Sequence, residues 1–213
     1  MAEPQAEPFH VALTALRERL QSGVLPPGAR ATAVDLADDL GLSTTPVREA
    51  LSRLTGEGLL EDRRGQGYFV RRLGAVDIAD LYRLNLAHLF IALEPRRTSR
   101  MPTPAAAEES SDGAGPAFDP VASVDGLFRA WVGATGSRPL FGAFRVIQIQ
   151  LGPVRRVEAQ VLPQLEAEAR VLLDGTLPRG DRLAALRQFH ALRIRESDRL
   201  AALLEPAARG SRK

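Results

Sequence analysis

The chain contains no cysteine, which removes disulfide frameworks, cysteine-ligated zinc and thiol nucleophiles. Lysine is nearly missing too: the single one is the last residue, Lys213. No interior lysine is available for a Schiff base or a Walker-type phosphate loop, and arginine carries the positive charge. The three histidines stand at positions 10, 88 and 190, too scattered for a ligand cluster at metal-site spacing. Net charge is small, +2, so the whole chain does not advertise a polyanion partner. Long apolar runs are also lacking. LNLAHLFIAL is interrupted by Asn85 and His88 and is too short to span a bilayer, while the acidic start MAEPQAEPF lacks the basic opening of a signal peptide. The expectation is a soluble, cytoplasmic protein. No nucleophile, base and orienting group can be assembled from these residues, which argues against an enzyme.

What is present is core-forming. With 213 residues, 45% hydrophobic and 25% charged, the chain can bury a sizeable interior in one large or two small domains. Residues 9–21, FHVALTALRERLQ, place Val11, Leu13, Leu16 and Leu20 along one side of a helix, which Gly and Pro in SGVLPPGAR terminate. A short second helix follows, with Thr32 as N-cap and Gly41 at its end. After Ser43 a third helix turns Val47, Ala50, Leu51 and Leu54 inward, with Pro46 in its first turn, where a missing N–H is harmless, and Gly58 closing it. LLEDR and YFVRR, joined by a Gly-rich turn, read as a β-hairpin. The expected fold class is mainly α: a winged helix-turn-helix with a small hairpin wing over residues 1–74, then an all-α bundle over 75–213. Within the bundle, helices are expected over 76–93, along Val121, Val124, Phe128 and Trp131, along Leu140, Phe144, Ile147, Leu151 and Val154, over about 157–173, and as one long final helix from RGDRLAAL onward. Gly152-Pro153 is expected to kink or break the run in which it falls. Residues 101–118, MPTPAAAEESSDGAGPAF, cannot pack a core and read as a flexible loop.

With its apolar side buried, the third helix presents Thr44, Thr45, Arg48 and Ser52 outward. Small hydroxyl donors around one guanidinium suit a DNA major groove: threonine bonds phosphate or touches a thymine methyl, and arginine bonds guanine or clamps phosphate. In RRGQGYFVRR four arginines stand without an acid; Arg63 and Arg64 flank a tip, Gly65 to Gly67, that can approach another backbone closely. For a lone helix, a merely solvated polar face is the commoner explanation. Ala37, Gly41 and Val47, placed where a helix-turn-helix needs a small crossing residue, a turn glycine and a buried apolar side chain, reverse that balance.

The stretch SGVLPPGARATAVDLADDLGLSTTPVREALSRLTGEGLLEDRRGQGYFV resembles the N-terminal domain of the GntR family of bacterial transcription regulators: PPG, LA, TPVREAL and GEGLL stand in the same order and spacing. The resemblance implies DNA reading by Thr44, Thr45, Arg48, Gln66 and Gly67. Thr44 and Gln66 stand where the family commonly has arginine, which implies an operator different from the usual one. LFRAWVGATGSRPL and RGDRLAALRQF are similar to segments of the helical FCD type of effector domain. That type commonly binds a metal through one Asp and three His. The corresponding positions here are Val124, Phe128, Ala169 or Arg170, and the vicinity of Leu192, so no metal or other cofactor is expected. The effector domain looks shortened and degenerate, and either takes a metal-free small-molecule effector or acts mainly in dimerisation. Along the first helix of the bundle, Leu81, Leu84, His88 and Ile91 form an expected stripe with Asn85 beside it. Asn85 and His88, with Arg145 and Arg155 from later helices, are the candidate effector contacts. The expected function is a homodimeric repressor-type regulator on a near-palindromic operator; the competing one is an interaction protein whose winged helix reads no DNA and whose helical half docks a partner.

Overall fold

A computed structural model describes residues 7–94 and 118–205. Residues 101–117 of the segment read as a loop lie outside them. Helix α1 (Pro8–Gln21) buries Ala12, Leu13, Leu16 and Leu20. Val11 is instead exposed: the stripe follows the i, i+4 series from Ala12, which points about 100° away from Val11. Helices α2 (Ala33–Leu40) and α3 (Thr44–Gly56) form the helix-turn-helix. Each ends in the same way. Gly41 and Gly58 take left-handed backbone, and the following leucine N–H reaches back five residues, Leu42 to Ala37 and Leu59 to Leu54, closing the orphan carbonyls of the last turn. Thr32 and Ser43 occupy the N-cap positions but make no side-chain cap bond.

Strands β2 (Leu60–Arg63) and β3 (Gly67–Val70) form the wing hairpin. A third strand has no counterpart in the sequence pattern: β1 (Arg30–Ala31) adds to β3, giving the antiparallel order β1-β3-β2 with Arg30 and Glu61 both paired to Phe69. Two residues show no alternation long enough to read.

The remaining helices are α4 (Ala75–Leu93), α5 (Pro120–Ala134), α6 (Arg138–Val157), α7 (Leu165–Leu173), α8 (Arg179–Arg195) and α9 (Ser197–Leu204). Two of the expected helices change in extent here. The helix expected over about 157–173 is a 3-10 turn, Glu158–Gln160, followed after Pro163 by the shorter α7. The long final helix is two, α8 and α9, divided at Glu196. Pro153 does not break α6, which runs through it: one forfeited backbone bond is outweighed by the burial of Leu151 and Val154 on either side. The inward stripe of α4 is Ile78, Leu81, Tyr82, Asn85, Leu89 and Leu93, while Leu84 and Ile91 face outward. A helix apolar on both sides gives periodicity no basis for choosing the buried one.

The winged helix has its own apolar cluster, built on Leu16, Leu36, Val47, Leu51, Leu54 and Val70, and α6 contributes Ile149 to it. Two further clusters fill the bundle, one around Phe128, Trp131 and Phe144, the other around Tyr82, Leu151 and Leu200. Gly152 lets α6 meet the end of α1 closely; a β-carbon there would lie 2.2 Å from the Gln21 carbonyl oxygen. Beside it, Gln150 Nε2 donates to Gly58 O at 3.3 Å.

Candidate nucleic-acid interface

The recognition helix is built by a simple division of faces. Val47, Ala50, Leu51 and Leu54 are fully buried, so Thr45, Arg48 and Ser52 are turned to solvent, with Thr44 half-buried at the first turn. Arg48 makes no hydrogen bond or ion pair among the described residues, although Glu49 beside it is also exposed. The N-terminus of α3 is open as well: without a side-chain cap from Ser43, its first N–H groups and positive dipole end face outward. The other end is anchored. Arg17 of α1 grips both carboxylate oxygens of Glu57 at 2.6 and 2.8 Å, and Arg53 Nε adds a third bond at 3.0 Å. Burial alone would raise the Glu57 pKa; these two arginines outweigh it and hold the carboxyl below its ordinary value.

In the wing, Gly65 and Gly67 adopt left-handed backbone, at φ 74° and 91°, and the Gln66 N–H closes the turn on Arg63 O. Arg64 and Gln66 are exposed at the tip. Arg63 is held: its guanidinium meets Glu61 Oε2 at 3.0 Å and lies 4.3 Å from the centre of the Phe69 ring. Arg71 is drawn away from the tip to Asp77 at the start of α4.

Inside the bundle lies a second concentration of polar groups, most of them removed from water. Arg193 donates to both oxygens of Glu158, at 3.0 and 2.9 Å, and to Glu168 and the Phe189 carbonyl. The Tyr82 hydroxyl also donates to Glu158. Burial, followed by the Glu158 charge, pushes the Tyr82 phenol well above its usual range, whereas Glu158 overcomes the desolvation of Arg193 and raises its pKa. Arg155 is buried against Asp125, with Nε and Nη2 left without a hydrogen-bond partner among the described residues. His190 stacks on Phe128; its Nδ1 lies 2.7 Å from Leu186 O and its Nε2 2.8 Å from Asn85 Oδ1. Burial lowers the His190 pKa to about 3, so the ring is neutral. With its proton on Nδ1 it can only accept at Nε2, which the amide N–H of Asn85 supplies once O and N are exchanged by a half-turn.

Residues 11–70 match the family described as bacterial regulatory proteins, gntR family. Over these residues the winged helix matches the GntR family. Among curated proteins, an HTH-type transcriptional regulator encoded in the TAR-I ttuE-ttuC' intergenic region of Agrobacterium vitis is 36% identical over 87 residues, 41% of this chain and 48% of that protein. The HTH-type transcriptional regulator McbR of Escherichia coli K12 is 37% identical over 94 residues, 40% of this chain and 42% of its own length. The chain thus spans under half the length of these relatives. A solved structure of E. coli McbR/YncC superposes with a TM-score of 0.62 at 17% identity, covering 95% of this chain and all of that one, so the same succession of winged helix and helical bundle is shared at the level of fold.

The GntR match ends at Val70, and behind it the FCD-type metal set does not fit. Val124 and Phe128 are buried apolar side chains, Ala169 is buried, Arg170 is exposed and paired with Glu166, and His190 bonds Asn85 and Leu186. No group of three or more metal-ligating side chains stands together among the described residues. Of the four candidate effector contacts, Arg155 is buried in the bundle and the other three are not brought together. Asn85 is fully buried, His88 is half-exposed with Nδ1 2.6 Å from Leu84 O, and Arg145 is exposed. Desolvation and then the charge of Arg17 lower the Arg145 pKa, which places it beside the GntR domain rather than in the bundle interior. Sequence reasoning does not find the cluster of Tyr82, Glu158, Arg193 and His190. Its hydrogen bonds, with that of His190 to Asn85, join residues 35 to 105 positions apart, and no local spacing brings those partners together.

Proposed function

We propose that the chain is a homodimeric, sequence-specific DNA-binding transcriptional regulator, with residues 1–74 reading DNA and 75–213 forming the effector and dimerisation domain. The observation that carries this reading is the outer side of α3, where Thr45, Arg48 and Ser52 stand exposed beside an open helix N-terminus while every apolar residue of the helix is buried. Such a helix enters a major groove by its N-terminal half, and the wing lies against the flanking backbone. One recognition helix covers only a few base pairs, so a near-palindromic site and a two-fold protein are the matching pair. Dimerisation is supported by α4, which carries Val76, Leu84 and Ile91 on its solvent side in addition to an inner face that is apolar apart from Asn85 and the Tyr82 hydroxyl. The experiment is selection of duplexes from a randomised pool by the full chain, with sedimentation of the complex. Dyad-symmetric sequences bound by two chains are expected; unselective binding, or one chain per duplex, refutes the reading and favours a partner-docking protein.

The bundle takes a small, acceptor-rich effector without metal. Support comes from buried donors left without a geometric hydrogen-bond partner among the described residues, Nε and Nη2 of Arg155 and Nε2 of Gln148. The Nε–Nη2 edge of a guanidinium matches a carboxylate in two parallel bonds. An open groove of about 590 Å³ between the end of α1 and helices α5 and α6 runs past Asp119, Asp125 and Arg155. Thermal-shift series with small carboxylates, alone and with zinc, nickel or manganese, test this. Stabilisation by a carboxylate that Arg155→Gln abolishes is expected; stabilisation by metal alone overturns it.

A further inference from the structure

The wing offers less positive charge than its four arginines promise. Arg63 is neutralised by Glu61 and laid on Phe69, and Arg71 is bound to Asp77. The strand register identifies another cation. Arg30 and Glu61 are both paired with Phe69, and Arg63 is paired with Gly67. Because side chains directly across an antiparallel ladder share a face, Arg30, Phe69, Glu61, Gly67 and Arg63 all belong to one side of the three-stranded sheet. On it, β2 supplies a self-cancelling pair and β1 supplies an arginine with no acid opposite. Arg30 reaches as far as Gly67. A β-carbon at that position would lie 3.9 Å from both Nε and Nη2 of Arg30, so the guanidinium rests beside the bare backbone of the wing tip. Arg30 is exposed and has no hydrogen bond or ion pair among the described residues.

We propose that Arg30, from the edge strand β1, is the wing's backbone-contacting residue together with Arg64, and that Arg63 contributes little until Glu61 is removed. The proposal rests on the DNA-binding reading above and adds to it a positioning residue that lies well before the wing tip in sequence. An exposed guanidinium held by strand pairing, rather than by a carboxylate, gives up no ion pair on meeting a phosphate. Arg63 must first give up Glu61, and repulsion between that carboxylate and the phosphates opposes the approach. Phosphate bonds fix register without carrying sequence information, so the signature is uniform weakening across sequences together with a shallower salt dependence, about 0.9 in the logarithmic slope for each phosphate no longer neutralised.

The test uses the full-length protein, fluorescence anisotropy over a range of salt, and two probes: a duplex enriched from a randomised pool and a mixed-sequence duplex of equal length. Arg30→Gln is expected to weaken both by the same factor and to flatten the slope by the amount expected for a single phosphate, with its thermal melt unchanged. Arg63→Gln should leave the slope nearly as it was, and Glu61→Gln should steepen it by releasing Arg63. An unchanged slope in Arg30→Gln, alongside failure of Arg48→Ala to hold the enriched duplex, overturns this inference and leaves the DNA reading standing. If Arg48→Ala also leaves both probes bound as tightly as the parent, the DNA reading itself falls.

Discussion

The two halves of the molecule treat arginine in opposite ways. On the winged helix, Arg48, Arg30 and Arg64 stand in water without partners among the described residues, whereas inside the bundle Arg193 and Arg155 are 1% and 3% exposed and locked to carboxylates. An exposed, unpaired guanidinium adds little to the stability of the protein that carries it and is available to a ligand. A buried one is costly to desolvate and becomes critical to stability once its partner is in place. The contrast separates residues that hold the molecule together from residues that meet something else.

The sharpest way to break the comparison is Glu158→Ala. It removes the acceptor shared by Tyr82 and Arg193 and strands a buried cation, for an expected loss of about 3–5 kcal/mol in urea unfolding of the full chain; a loss below about 1 kcal/mol would mean that the cluster is wetter than its burial indicates. Acid should act on the same region through His190. The unfolded chain takes up this proton near pH 6.5, the folded one only near 3, so more protons bind to the unfolded state in between. Stability is therefore complete above about pH 6.5 and falls with decreasing pH by up to about 1.4 kcal/mol per unit. Urea melts at stepped pH should show a slope shallower by about one proton in His190→Gln. On the outer side, Arg48→Ala should cost about 1–3 kcal/mol in discrimination between an enriched and a mixed-sequence duplex while leaving the melt within about 0.5 kcal/mol of the parent. The smallest effect is expected at the exposed Arg170–Glu166 pair, where Glu166→Ala should change stability by less than about 0.5 kcal/mol.

The same division explains what is legible in the chain alone. Helix α3 is legible because it is short, amphipathic and bounded by Pro46 and Gly58, so its buried stripe dictates its exposed one. The hairpin is legible from its turn. Asn85 and His88 exchange the places that the sequence suggests for them, because α4 is apolar on both faces and only packing chooses between neighbouring stripes. Arg145 belongs beside Arg17 and Glu57 rather than in the bundle, since the rotation of α6 depends on contacts from both halves. The network of Glu158 and Arg193 depends on a 3-10 turn meeting a helix from a distant part of the chain, which propensity does not record. Arg30 belongs to a strand of two residues that only its pairing with β3 reveals.

Helix α6 serves both halves of the molecule. Ile149 is seated in the apolar cluster of the winged helix, Phe144 and Ile147 in the two clusters of the bundle, and Gly152 bears on the backbone of Gln21 with no side chain between to act as a cushion. If Arg155 and Gln148 were drawn toward a ligand, the travel of α6 could not be absorbed at position 152, where one backbone already touches another, and the end of α1 would have to move with it. The chain is thus geared at one glycine, and the play in that gear is smaller than a methyl group.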